Sequence, residues 1–289
     1  MSTRNETFTA DGPVHVNIGT AAGRIEVRLT DGPDVHVEVR HAPESATPWS
    51  EGVSQVLGWI NGQLGEQGPT DTGAEAVRRT WVDFTAGTLT VRSPKAAPLG
   101  AVPLGVTVLA PLGSRVTANG GAASVTVAGT ADRVEVGTGA GSVDVERATG
   151  VVQANAGTGT VRVGSAGGGL RARTGAGDVE AGELGGPSTI VTGRGNVHLA
   201  TVAADLRVRS GSGTITVADA TAGRIELNTG SGALNVAVRR GTPAEVDVST
   251  GVGTAVADLP LDTTAPAEAP ALRVRGRSGT GDVAVTLAG

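Results

Sequence analysis

Two carboxylates raise the question of chemistry. Asp144 and Glu180 hold the same place in repeats that begin at Gly139 and Gly175, with one repeat between them. If successive repeats stack as strands about 4.8 Å apart, these side chains stand about 9.6 Å apart. That approaches the spacing of acid and base in an inverting glycosidase, which leaves room for a water. Arg162 occupies the intervening repeat, and a cation there keeps both carboxylates ionised, whereas a general acid needs a raised pKa. Alternating charge is also what a solvated ladder selects. The expectation is a surface ladder, and no catalytic residue is assigned.

The repeat is a glycine phrase, as in GAGSVDV, GTGTVRV, GAGDVEA, GRGNVHL and GSGTITV. Calcium-binding β-rolls use a related nonapeptide, with an aspartate where this chain places Val143, Val161, Val179, Val197 and Ile215. Without a carboxylate in each turn there are no hard oxygen ligands, so no metal is expected. A phosphate-binding loop is a single glycine turn between a strand and a helix, not one copied nine times between strands. The glycines are explained instead by positive φ in tight turns and by close approach of stacked backbones.

A hydroxyl file precedes the phrase: Thr138, Thr174, Thr192, Ser210, Thr229, Thr250 and Ser278, interrupted by Gly120 and Ala156. Threonine rows order water in ice-binding solenoids, but one broken row beside glycine reads as hydroxyl-capped turns. His15, His36, His41 and His198 share no metal-ligand spacing, and no nucleophile-elbow phrase supports Ser/His/Asp catalysis. With no cysteine, disulfides, thiolate metal sites and cysteine nucleophiles are all removed. No cofactor is expected.

The elements that carry these residues follow from the spacing. The first glycines are Gly121, Gly139, Gly157, Gly175, Gly193, Gly211, Gly230, Gly251 and Gly279, separated by five intervals of 18 residues and then by 19, 21 and 28. A short fixed period means a solenoid whose coils cover one another's apolar faces. Pairs such as Val161 and Val163, followed nine residues later by Leu170 and Ala172, give two inward-facing strands per coil. The expected fold is all-β, a parallel β-solenoid (β-helix or β-roll) of about 18-residue coils. Only two phenylalanines, three tryptophans and no tyrosine occur, so the interior must be thin and aliphatic.

Three segments are expected. Residues 1–40 read as N-terminal strands and a first degenerate coil, with turns at Gly23 and Asp31-Gly32. Residues 41–80 read as a helical insertion, with helical spacing from Trp49 to Leu64 and a second short helix over Thr72–Thr80; it caps the stack or docks a partner. Residues 81–289 carry the β-solenoid repeats, with a Pro-rich insert at 259–270.

Together the TGxGxVxV phrase, the spacing near 18 residues and the degenerate N-terminal strands resemble the uncharacterised bacterial β-strand-repeat family of "putative adhesins". The resemblance covers about residues 10–40 and 81–289. It implies a β-solenoid with no established enzymatic activity.

Net charge is −5, Lys95 is the one lysine, and no basic stripe is evident along the chain, which argues against nucleic acid. No apolar leader and no run of about 18 apolar residues occur, so a cytoplasmic location without membrane contact is expected. The leading reading is a non-catalytic scaffold that meets a protein partner or self-associates through solenoid ends or edges, as a homo-oligomer or filament. A surface adhesin or glycan-binding β-helix is the alternative, and a polysaccharide-degrading β-helix the third reading.

Overall fold

The computed structural model describes residues 2–43, 72–259 and 270–288. Within them strands dominate, most of them paired in parallel, with one short α-helix at Thr72–Arg78. The all-β, solenoid-like class expected from the glycine phrase is therefore the observed one. The expected helix from Trp49 to Leu64 and most of the Pro-rich insert lie outside the described residues. The chain forms two compact units, Met1–Ala131 with Glu135–Ser142, and Asp132–Val134 with Val143–Gly289.

The first unit is organised by one long strand, His15–Thr30. The strand runs on through Gly23, where a turn was expected, but its inward face changes phase there, from Val16, Ile18, Thr20 and Ala22 to Ile25, Val27 and Leu29. Gly23 instead bends the strand at φ +117°, and the Thr20 hydroxyl bonds the Ala22 carbonyl at 3.0 Å across the bend. The half before the bend pairs in parallel with Thr88–Arg92 and the half after it with Leu104–Pro111. Arg115–Ala131 runs along its other side in the same direction. Two antiparallel strands close this unit: Asp34–His41 on Leu104–Pro111, and Thr3–Thr9 on Asp34–His41.

Trp81–Thr85 and Thr88–Arg92 form a hairpin through Ala86 and Gly87, both at positive φ, the geometry whose twist matches paired strands. The helix Thr72–Arg78 buries Ala76 and Val77, and its Gly73 lies against the His41 ring where no side chain would fit. Arg4 ties this corner down by donating to the carbonyls of Thr80 at 2.6 Å and Arg78 at 3.3 Å. Hydrogen bonds from Arg78 and then Arg79 hold the Glu75 carboxyl below its ordinary range. The expected short helix over Thr72–Thr80 is thus present and packed on strands.

The second unit alternates two kinds of strand. The first set includes Val143–Ala148, Val161–Ala166, Val179–Leu184, Val197–Val202, Ile215–Ala220 and Leu234–Val238. The second set includes Val152–Thr158, Leu170–Ala176, Ser188–Arg194, Leu206–Ser212 and Gly223–Ser231. Each strand pairs in parallel with the next of its own set, so Val161 lies beside both Val143 and Val179, and Leu170 beside Val152. The inward residues Val161, Leu170, Val179, Ile190, Leu199 and Leu227 are almost fully buried. Burying each contributes roughly 1.5–3 kcal/mol relative to exposure. Both sets share one interior: a side chain on Gly276 would stand 3.2 Å from Val248, 3.4 Å from Leu234 and 3.6 Å from Val283.

The last two rungs depart from chain order. Leu272–Thr280 pairs with Gly223–Ser231 on one side and with Ala244–Val252 on the other. In the first set, Val283–Leu287 likewise lies between Leu234–Val238 and Ala255–Ala257. The final segment of the chain is thus inserted under the one that precedes it. Leu272, Val274, Val283 and Val285 are buried in the inserted rung, while Ala244–Val252 and Ala255–Ala257 take the more exposed end position.

Candidate functional site

The side chains available for chemistry all hang on the outer faces of these rungs. In the first set, register places Asp144, Arg162, Glu180, His198 and Thr216 in one column. Arg162 donates to Glu180 at 3.0 Å, and Glu180, followed by Asp144 and Asp178, raises the guanidinium pKa. The cation between the two carboxylates is therefore tied to Glu180, while Asp144 acts on it through charge alone. Asp219 is held by Arg239 in the same manner, which raises the arginine's pKa.

The corners between sets explain the glycine phrase. The first glycine is needed for close approach: a Cβ on Gly175 would stand 2.7 Å from the Gly157 carbonyl of the rung beneath. The second turns the chain, as Gly195 does at φ +136°. The acidic or amide residue that follows is used by the backbone. Asp178 accepts the Asn196 N–H at 2.7 Å, and Asn196 accepts the Thr214 N–H at 3.0 Å. The phrase is a corner device in which side-chain oxygens cap the next rung.

The hydroxyl file lies inside the same corners. Thr192, only 2% exposed, donates to the Arg194 carbonyl at 3.1 Å and approaches the Gly177 carbonyl at 3.4 Å. Thr229 and Ser278 bond corner carbonyls likewise, while the buried Thr174 and Ser210 hydroxyls find no partner among the described residues. Facing inward, these hydroxyls cannot form a water-ordering surface. The histidines are dispersed: His15 meets Thr117 at 3.0 Å and His36 meets Thr7 at 2.9 Å, both on the surface. Among the described residues no three His, Asp or Glu side chains are grouped to hold a metal ion.

The outer face of the second set was missed in the sequence. Register aligns Arg171, Thr189, Arg207, Glu226 and Arg275 in one column. A parallel column holds Arg173, Val191, Arg209, Asn228 and Arg277. The impression that no basic stripe exists is corrected here, because residues far apart in the chain become neighbours only through the stack. The signal was the recurring Arg-x-Arg of LRAR, LRVR and LRVRGR at 170–173, 206–209 and 272–277. Each pair of arginines recurs on alternate rungs, and the inserted final segment brings Arg275 and Arg277 into that period. Glu226 bridges to Arg207 at 2.8 Å, whereas Arg171, Arg173, Arg209 and Arg277 make no ion pair among the described residues.

No family model and no curated protein matches the chain. Solved structures align along nearly its whole length at low identity. A "putative adhesin" from Bacteroides fragilis is 10% identical with a TM-score of 0.37, over 98% of this chain and 97% of that one. A "putative lipid binding protein" from Parabacteroides distasonis is 10% identical with a TM-score of 0.38, over 98% and 96%. A "putative cell adhesion protein" from Clostridium sporogenes is 7% identical with a TM-score of 0.19, over 99% and 100%. The two adhesin descriptions match the family that the glycine phrase resembles, the lipid-binding one does not, and none carries an argument about what this chain binds.

Proposed function

We propose that this chain is a non-catalytic interaction scaffold, a solenoid of coils about 18 residues long whose outer faces do the recognising. The observation that supports it most is the Asp144–Arg162–Glu180 column, where Arg162 stands between the two carboxylates and is ion-paired to Glu180. Glu180 spends its oxygens on the guanidinium, and the pair stands on an open outer face rather than in a cleft that would exclude water. The interior is filled by aliphatic side chains of both strand sets, which leaves the surface as the place for binding.

Self-association belongs to this reading. The rung Ala244–Val252 with Ala255–Ala257 pairs on one side only among the described residues, and it leaves Val252 68% and Val256 50% exposed. An open parallel edge of this kind is a template for a second copy. Incubation with a panel of polysaccharides is expected to release no new reducing ends, and light scattering over a concentration series is expected to show species larger than a monomer. Reducing ends that vanish in Glu180→Gln would overturn the non-catalytic reading; a monomer throughout would remove self-association from it. A surface glycan binder is the second reading, favoured by the arginine face of the second strand set.

A further inference from the structure

The arginine face deepens the scaffold reading, on which it rests, by pointing to a class of ligand. Its geometry is regular. Arg171 and Arg173 lie on one rung, Arg207 and Arg209 two rungs on, Arg275 and Arg277 two rungs beyond that. Arginines two residues apart on a strand project about 6.6 Å apart, and alternate rungs are about 9.6 Å apart. The rungs between carry Thr189, Val191 and Asn228, together with Glu226, which holds Arg207, and Asp247 lies 3.9 Å from Arg275, so the open guanidinium groups are those of Arg171, Arg173, Arg209 and Arg277. A guanidinium fork accepts a carboxylate or sulfate in two parallel hydrogen bonds.

We propose that this face binds an extended anionic polysaccharide laid along the stacking direction, with a carboxylate or sulfate of the polymer meeting an arginine on every second rung. Three observations select that occupant. First, the arginines recur with a regular period along the stack, Arg171 with Arg173, Arg207 with Arg209 and Arg275 with Arg277, as a polymer of repeating charge requires. Of the carboxylates on the other strand set, Glu180 is already engaged by Arg162 and Asp219 by Arg239. Second, the columns carry no aromatic side chain, whereas single-stranded nucleic acid needs stacking platforms. Third, Val191 is the one large apolar side chain exposed on these columns, too little to enter a lipid surface.

The test uses the full chain and measures binding by calorimetry to polygalacturonate (carboxylate only), heparin (sulfate-rich), neutral dextran and a short DNA duplex. Binding to polygalacturonate or heparin is expected, weakening as salt rises, with none to dextran; which polymer binds tells carboxylate from sulfate as the recognised charge. The combined variant Arg173→Ser, Arg209→Ser and Arg277→Ser is expected to weaken that binding by about ten-fold or more, roughly 1.4 kcal/mol or above. A charge-matched control, Arg147→Ser, Arg162→Ser and Arg240→Ser, stays within about two-fold, a difference of under 1 kcal/mol. The proposal is overturned if neither acidic polysaccharide binds, if only DNA binds, or if the two variants behave alike. Cleavage of a bound polymer would sink the non-catalytic reading while leaving this site in place.

Discussion

Thr174 and Thr192 occupy the same place on adjacent rungs, both buried, yet only Thr192 has carbonyls to donate to. A bonded buried hydroxyl contributes about 1 kcal/mol, while an unbonded one costs free energy for its lost water. Thr192→Val is expected to cost about 1 kcal/mol of stability, read as a lower urea midpoint at unchanged slope, and Thr174→Val to leave the midpoint unchanged or raise it. Equal losses at both positions would contradict the assignment of these hydroxyls to the corners. At this scale much was legible. The glycine phrase announced tight turns and close backbone approach, and the structure divides these duties between Gly175 and Gly195. What the residues alone did not reveal was direction: a threonine beside glycine looks the same whether its hydroxyl points into a corner or into water.

Pairing between rungs was legible wherever the repeat held its length, because a parallel register carries the same place in the phrase from one rung to the next. It failed at the tail. The phrases GVGTAVA and GTGDVAV fit a rung equally well, so their order is not legible in the sequence. Leu272 and Val283 win the covered position, and Ala244–Val252 is left at the end with its inward residues only half buried. Few buried contacts mean a low local opening energy. Amide protons of Ala244–Val252 are therefore expected to exchange faster than those of Leu206–Ser212, which has a rung on each side. Equal protection in the two strands would show that the end rung is covered. Near the N-terminus the sequence also misled at Gly23, where a glycine between apolar alternations reads as a hairpin although its positive φ only bends a continuous strand.

Across the molecule, a net charge of −5 conceals a segregation of sign. Arg171, Arg173, Arg209 and Arg277, without ion pairs among the described residues, collect on the outer face of one strand set, while on the other Glu180 is held by Arg162 and Asp219 by Arg239. No composition statistic reveals this, because it depends on which residues the stack makes neighbours. The same dependence makes the stacking order the claim on which the rest stands, since the arginine period runs unbroken only if the final segment lies between its two predecessors.

Cysteine cross-linking tests that order directly, and the chain has no cysteine of its own to interfere. Glu226 pairs with Arg275, and Asp247 lies one rung further on. A disulfide needs Cα atoms about 4.4–6.8 Å apart. Neighbouring rungs meet that requirement, and rungs about 9.6 Å apart do not. Under mild oxidation the double variant Glu226→Cys with Arg275→Cys is expected to form an intramolecular disulfide, and Glu226→Cys with Asp247→Cys to remain reduced. The reverse result would place the last two segments in chain order and break the arginine lattice with them.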